Sequence, residues 1–332
     1  MNSVTFINKP KNIGGPGTFQ KNFTNFCRKL SINVYLFDEK HVPENIIVIS
    51  GTKRLYYLIK SKYLDDARII QRLDGFEFLS IRKYGLKAFL KNRIQFLLIT
   101  LIMVCIADEI IFQSHFVKNW WRRKLFKYLP KNTSVICNGF NPSFVHCQKR
   151  RNKGSIRLIS VEGAVKVDDY TKSLLYAYDS VLRERDKGEC LEVYGNLEAE
   201  VSEKFTNVSF KGRIGRSSVA NVYMNGRPIF VLLECQAACP NSLVEAVGAG
   251  VPSIGSDDGS FVELAEGSGM SFESRLISAD GEELKRQIAN QLTFIDNNYI
   301  HFFELAVLRS NTLTLNKMMD EYLKVLGNNK CA

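Results

Sequence analysis

Short continuous apolar runs alternate with segments of helical periodicity along most of the chain. Val4 to Ile7, Ile32 to Phe37, Ile46 to Ser50 and Arg68 to Leu73 predict strands, several with the look of strands buried on both faces. Between them Phe19, Phe23, Phe26 and Leu30 fall at helical spacing and predict a helix from Phe19 to Leu30, capped by Thr18. Gly51-Thr52 opens another through Leu55, Tyr56, Leu58 and Ile59. The most apolar stretch, Phe96 to Ala107, predicts a buried helix running into a strand at Glu109 to Gln113; at about 18 Å it falls short of a bilayer core, which leaves membrane insertion as the minor reading. The second half repeats the theme. Strands are expected at Ile156 to Val161, Leu191 to Gly195 and Val208 to Gly212, and helices at Ser217 to Met224 and Gly281 to Asn297. A long final helix is expected from Tyr299 to Leu326.

The densest signal lies between Ile229 and Leu264, which reads strand, loop, helix, strand, loop, helix. Ile229 to Leu233 is a buried strand. Pro240, Asn241 and Ser242 supply helix-start chemistry, with Asn241 or Ser242 able to cap free N–H groups. Gly248 and Gly250 close that helix, and Pro252 to Ile254 starts the next strand. Asp257-Asp258-Gly259-Ser260 is a turn able to cap a helix near Phe261. Two loop-to-helix junctions beside parallel strands put N–H groups and helix N-termini on one sheet edge, where α/β proteins bind phosphate.

CPNSLVEAVGAGVPSIGSDDGSFVEL resembles the nucleotide-sugar signature of GT-B glycosyltransferases, specifically glycosyltransferase family four. The family pattern is an acid, seven residues, a Glu, a small-residue helix end, Gly-x-Pro, then a Gly-Gly turn followed by Glu. Glu245 matches the second acid, which the resemblance makes a ribose-hydroxyl acceptor. The first acid is replaced by Ala237, Glu234 sits three residues early, and Gly259-Ser260 stands for Gly-Gly. If that loss limits turnover, Ala237→Glu is expected to raise it.

Other stretches extend the resemblance. Gly14, Gly15 and Gly17 do not fit a dinucleotide GxGxxG; they either resemble the first cleft loop of GT-B enzymes or form a plain tight turn. IIQRLDG and ADEIIFQSHFVKNWW are similar to family segments, which puts Asp74 and His115 on the cleft as candidate catalytic groups. Asp74 reads equally as a turn former before Gly75, and His115 as an ordinary packed or exposed histidine. SVICNGFNPSFV resembles the end of the first domain, and the charged segment Lys149 to Gly154 is the expected linker. Where the family carries a Gly-Arg and a Lys for the diphosphate, this chain has Glu162-Gly163. Lys166, Lys172, Arg213 and Arg216 are the available cations. The resemblance implies an α/β GT-B architecture of two Rossmann-like domains facing a cleft. They are an acceptor domain over 1–150 and a donor domain over 155–300, with a helix over 301–332 returning to the first.

Charge adds a partner. Residues 1–155 hold 27 Lys and Arg against 9 Asp and Glu, and the remainder 18 against 25, so the basic excess is confined to the first half. That half either meets an anionic membrane surface bearing a lipid-linked acceptor, meets nucleic acid, or is simply solvated. Nucleic acid has no RNA or zinc motif behind it and is not expected. Trp120-Trp121-Arg122-Arg123-Lys124 suits a membrane interface, or an amphipathic helix with core aromatics. The eight cysteines form no CxxC pair, and MNSVTFINKPKN has no signal-peptide core, so a cytoplasmic, peripheral-membrane location is expected. The Asp-Asp pairs lack the spacing of a metal site, so no metal or cofactor is expected beyond a UDP- or GDP-linked sugar as co-substrate. The leading reading is a retaining, metal-independent glycosyltransferase acting on a glycan or lipid-linked hydroxyl. The alternative is a catalytically weakened sugar-nucleotide-binding or partner subunit, motivated by Ala237 and the missing Gly-Arg.

Overall fold

The apolar runs become the parallel strands of two sheets. The computed structural model describes residues 3–9, 15–37, 39–78, 81–125, 127–130, 132–141, 154–165, 168–185, 187–197 and 205–327. Contacts divide the chain into two compact units, Met1–Cys137 with Met318–Ala332, and Asn138–Lys317. Most of the expected linker, residues 149–153, lies outside the described residues.

The first unit runs β1 (Ser3–Phe6), α1 (Gly15–Lys29), β2 (Asn33–Leu36), β3 (Asn45–Ile49), α2 (Leu55–Leu64), β4 (Arg68–Leu73), α3 (Ile81–Leu101), β5 (Glu109–Phe112), α4 (His115–Lys124) and β6 (Thr133–Val135). All six strands are parallel in the order β2-β1-β3-β4-β5-β6. Every residue of β3 is buried, the consequence of helices covering both faces. α1 begins at Gly15, before the expected Thr18 cap, and buries Phe19, Phe23 and Cys27. Phe26 is only half-buried and Leu30 is exposed, because the helix turns them away from the sheet.

The stretch from Phe96 to Ala107 corrects a sequence expectation. It is the end of a much longer helix, kinked at Gly85 (φ 78°) and continued by a π-helical turn at Ile102–Ile106. Only 22% of an 18-residue apolar window within Tyr84–Ile106 is buried. Ile99, Ile102, Met103 and Ile106 pack inward, while Leu97, Leu101 and Val104 are exposed. Apolar composition alone does not say which face meets a core.

The second unit runs β7 (Ile156–Val165), α5 (Asp169–Arg185), β8 (Leu191–Leu197), β9 (Val208–Gly212), α6 (Arg216–Met224), β10 (Arg227–Val231), α7 (Asn241–Gly248), β11 (Ser253–Ser256), α8 (Phe261–Ala265), β12 (Gly269–Phe272), α9 (Leu276–Ala279), α10 (Gly281–Asn297) and α11 (Tyr299–Ser310). Its six parallel strands lie in the order β12-β11-β10-β7-β8-β9. Leu158, Tyr178, Val193, Ile229 and Ile288 anchor one core on this sheet. This is the doubly wound strand order, whose direction reverses between β7 and β10.

The expected single final helix is two. α11 stops at Ser310, where the Ser310 hydroxyl donates to the carbonyl of Val307 at 2.7 Å, and α12 (Leu315–Gly327) follows a short turn. From Met318 onward α12 belongs to the first unit, not from residue 301. There Tyr322 packs against Phe19 and Phe23, with ring centroids at 5.1 and 5.8 Å. Its hydroxyl accepts a hydrogen bond from the buried Arg72 Nε at 2.9 Å.

Candidate functional site

Ligands of doubly wound sheets bind outside the carboxyl ends of the strands at the reversal point. In the second unit that point is where β7 and β10 end. β7 pairs with β8 in register to Val161, then shifts before Ala164, a bulge spanning Glu162 and Gly163. Such bulges re-aim side chains. The Glu162 carbonyl presses on Gly195, where a Cβ would come within 2.6 Å of it, so residue 195 has to be glycine. Glu162 Oε1 is buried with no hydrogen-bond partner among the described residues. Burial, reinforced by the negative charge of Glu234, holds the Glu162 carboxyl well above its usual range. Tyr223 of α6 lies in the same field. Burial first, then Glu245 and Glu162, raises its hydroxyl, which donates to the Ser242 carbonyl at 3.0 Å.

The loop from Glu234 to Pro240 is laced into place. Ala237 pairs with Gly259 across an isolated parallel bridge, and Ser260 N donates to the Ala237 carbonyl at 2.8 Å. Gly259 has φ 130°, and a Cβ there would meet Ala237 N at 2.9 Å. Gln236 Nε2 donates to Asp258 Oδ2 at 2.9 Å. From the other side Asn138 Nδ2 donates to the Cys239 carbonyl at 2.9 Å, and Asn138 N to Cys239 Sγ at 3.3 Å. Phe140 packs against Gly248 at the far end of α7, and Gly139 lies against Thr314 and Leu315. The loop therefore delivers α7 in a fixed position.

The first turn of α7 carries no side-chain cap. Pro240 is the N-cap residue and neither the Asn241 nor the Ser242 side chain closes the turn, which corrects the expected capping. Ser260 likewise precedes α8 without a side-chain cap. Uncapped N–H groups at a helix start, in the field of the helix dipole, suit an anion.

No protein-family model matches the chain, and no curated protein matches it. Solved structures do. Sucrose-phosphate synthase from Thermosynechococcus elongatus is similar with TM-score 0.70 at 12% identity, over 98% of this chain and 98% of that one. Anabaena HepE in complex with UDP is similar with TM-score 0.67 at 12% identity, over 98% of this chain and 100% of that one. A glycosyltransferase from Rickettsia africae ESF-5 is similar with TM-score 0.62 at 13% identity, over 98% and 85%. The chain has the GT-B fold. At such identities the likeness carries the GT-B fold alone.

On this GT-B fold the sequence-predicted residues fall into three groups. Pro240, Asn241, Ser242 and Glu245 come together on α7, and Gly259 and Ser260 join them through the Ala237 bridge. Arg213 is exposed after β9 and makes no hydrogen bond or ion pair among the described residues. Lys166 and Gly14 lie outside the described residues. In the first unit Gly15 and Gly17 start α1, while Asp74 and His115 follow the neighbouring strands β4 and β5 at their carboxyl ends. Asp74 Oδ1 accepts from Gly75 N at 2.9 Å, a turn-forming contact, and its carbonyl accepts from Trp121 Nε1 at 3.0 Å. His115 is exposed on the first turn of α4, which Ser114 caps through Val117 N at 3.1 Å. Sequence reasoning noted Glu162 only as standing where the family carries Gly-Arg, not as a candidate acid, and it passed over Tyr223 and Asn138.

Proposed function

We propose that the chain is a glycosyltransferase taking its sugar from a UDP- or GDP-linked donor. The carrying observation is that Glu162 lies on β7 and Glu234 follows the adjacent strand β10 at the reversal, that Glu162 and Glu245 both act on the buried Tyr223, and that α7 starts without a side-chain cap. Each part suits a part of such a donor. The α7 N–H groups take the diphosphate charge. Glu245, one turn into α7, accepts from ribose hydroxyls. Glu162, protonated, donates a hydrogen bond to a sugar oxygen, and Glu234 accepts one from a neighbouring hydroxyl. In the transfer the bond from anomeric carbon to diphosphate oxygen breaks, its electron pair leaving with the nucleoside diphosphate. The acceptor oxygen bonds to that carbon, and its proton passes to the leaving phosphate oxygen. Configuration is retained, and helix N–H groups rather than a metal offset the leaving charge. The acceptor is a glycan or lipid-linked hydroxyl met at a cytoplasmic, anionic membrane surface. HepE, similar in fold, binds UDP and UDP-glucose, which supports the donor class.

Thermal stabilisation by UDP, GDP, ADP and CMP tests the donor reading. One nucleotide at 100-fold its dissociation constant is expected to stabilise by about 2.7 kcal/mol, and Glu245→Ala to abolish most of that shift. Absence of a shift with all four, at millimolar ligand, sinks it. A requirement for a divalent cation in turnover would overturn the metal-free part.

Ala237 favours a second reading, a catalytically weakened sugar-nucleotide-binding subunit. It is 1% exposed and its backbone is engaged with Gly259 and Ser260, so a glutamate there has to open the bridge to reach a ligand. Ala237→Glu is therefore no simple restoration. Nucleotide binding without donor hydrolysis or transfer is the outcome that would favour this reading.

A further inference from the structure

Among the described residues of the first unit, α3 carries a run of apolar side chains that its own fold leaves exposed. Beyond the kink at Gly85, Leu86, Leu90, Ile94, Leu97 and Leu101 recur every three or four residues. At 3.6 residues per turn they fall within an arc of about 80°. Their exposure runs from 43% at Leu101 to 64% at Leu97, far above what a core face shows. By length and composition Tyr84–Ile106 could cross a bilayer.

The opposite face decides against crossing. Ile102 and Ile106 sit in one core cluster with Ile46, Val48, Leu58 and Ile69 of the first unit. The Ile99 carbonyl accepts from the buried Gln71 Nε2 at 3.1 Å, and its side chain leaves Gly51 no room for a Cβ. A helix so held cannot leave its sheet to enter lipid. It presents a stripe instead.

Charge selects the occupant. α3 carries Arg82, Lys83, Lys87, Lys91 and Arg93 and no acidic residue. Lys87, Lys91 and Arg93 are exposed beside the stripe. Nearby, Lys124 of α4 lies 5.2 Å from the Phe78 ring centroid and Arg93 4.4 Å from the same ring, while Trp120, half-buried, stacks on Phe78. Two copies joined along the stripe would oppose these like charges. Apolar side chains flanked by cations, with an amphipathic aromatic at the rim, match an acyl layer beneath anionic headgroups.

We propose that α3 lies in the plane of an anionic lipid surface, with Leu86, Leu90, Ile94, Leu97 and Leu101 among the acyl chains and Lys87, Lys91 and Arg93 on headgroup phosphates. This gives a location to the membrane-surface part of the proposed function and rests on that part, not on the donor chemistry.

Co-sedimentation of the full chain with phosphatidylcholine vesicles, with and without 30 mol% phosphatidylglycerol, tests it, the vesicle composition here being about 30% anionic as a chosen condition. Wild type is expected to bind the anionic vesicles and to lose binding as salt rises. Leu90→Ser/Leu97→Ser is expected to weaken binding about tenfold or more, with its melting temperature unchanged because both side chains are exposed. Lys87→Ser/Lys91→Ser is expected to weaken binding and flatten the salt dependence. Wild type failing to bind overturns both the docking and the membrane-surface reading. Wild type binding while both variants bind equally well overturns the docking alone. A wild-type dimer that the Leu90/Leu97 variant dissociates, without vesicle binding, assigns the stripe to a second copy and overturns the proposal.

Discussion

Glu162 is a carboxyl placed where its charged form is disfavoured, by burial and by the negative charge of Glu234. Its folded pKa lies above the unfolded value, so between the two the native protein holds a proton that the unfolded chain has lost. That contribution to stability is complete below about pH 4.3 and is lost as the pH rises toward the folded value. Glu162→Gln keeps the shape and removes the titration. The variant is expected to gain stability over wild type as the pH goes from 5 to 8, with a melting shift of about 2–4 °C for each kcal/mol in a unit of this size. If the neutral carboxyl donates to the donor sugar, the Gln amide donates there too and nucleotide-sugar binding survives, whereas Glu162→Ala loses it. A constant difference in melting temperature across that range would remove the protonation argument. Glu245 could be named as a candidate from the sequence because its chemistry travels with a local string, from Pro240 to Gly259. Glu162 could not, since its meaning depends on strands separated by dozens of residues reversing direction beside it.

Among the elements, strands were the most readable, as with Asn45–Ile49, because burial on both faces forces apolar runs. α3 was the least, because an apolar face against a core and one left bare have the same composition. The break between α11 and α12 was also hidden: Ser310 to Thr314 carries no glycine or proline, and the turn is made by local hydrogen bonds such as Leu313 N to the Ser310 carbonyl at 3.0 Å. Arg72 shows how one element depends on another distant in sequence. Inside β4 it is 2% exposed, its guanidinium carbon 4.2 Å from the Phe19 ring centroid, its Nε donating to Tyr322 on α12. Tyr322→Phe keeps the ring against Phe19 and Phe23 and deletes that acceptor. Hydrogen bonds to charged groups contribute about 1.5–3 kcal/mol, so the urea midpoint is expected to fall by a corresponding amount. A loss below about 0.5 kcal/mol, the size of an ordinary surface change, would mean that water or another group serves Arg72 equally well.

At the scale of the molecule, the split of charge between the halves was visible in the sequence, while the point of division was not. The first unit closes at Cys137, and Asn138 to Phe140 already works for the second, holding the Cys239 carbonyl and packing on Gly248. Polar composition marked residues 149–154 instead, since a linker signal reports solvation rather than which core a residue joins. The chain end makes the division testable. Met318, Met319, Tyr322, Val325 and Leu326 are all buried in the first unit, and each such side chain contributes roughly 1.5–3 kcal/mol on burial. Their sum is comparable with the whole stability of a domain, about 5–15 kcal/mol. Ending the chain after Lys317 removes them and strips Arg72 of its Tyr322 acceptor, but it keeps Thr314 beside Phe140 and every residue of the α7 site. Calorimetry of this truncated chain is expected to show one transition lost or shifted far down and one preserved. The preserved transition should still rise with the nucleotide that stabilises the full chain. Loss of both transitions together would show that the second unit depends on the first for its stability, and the donor site could then no longer be treated as a property of residues 138–317 alone.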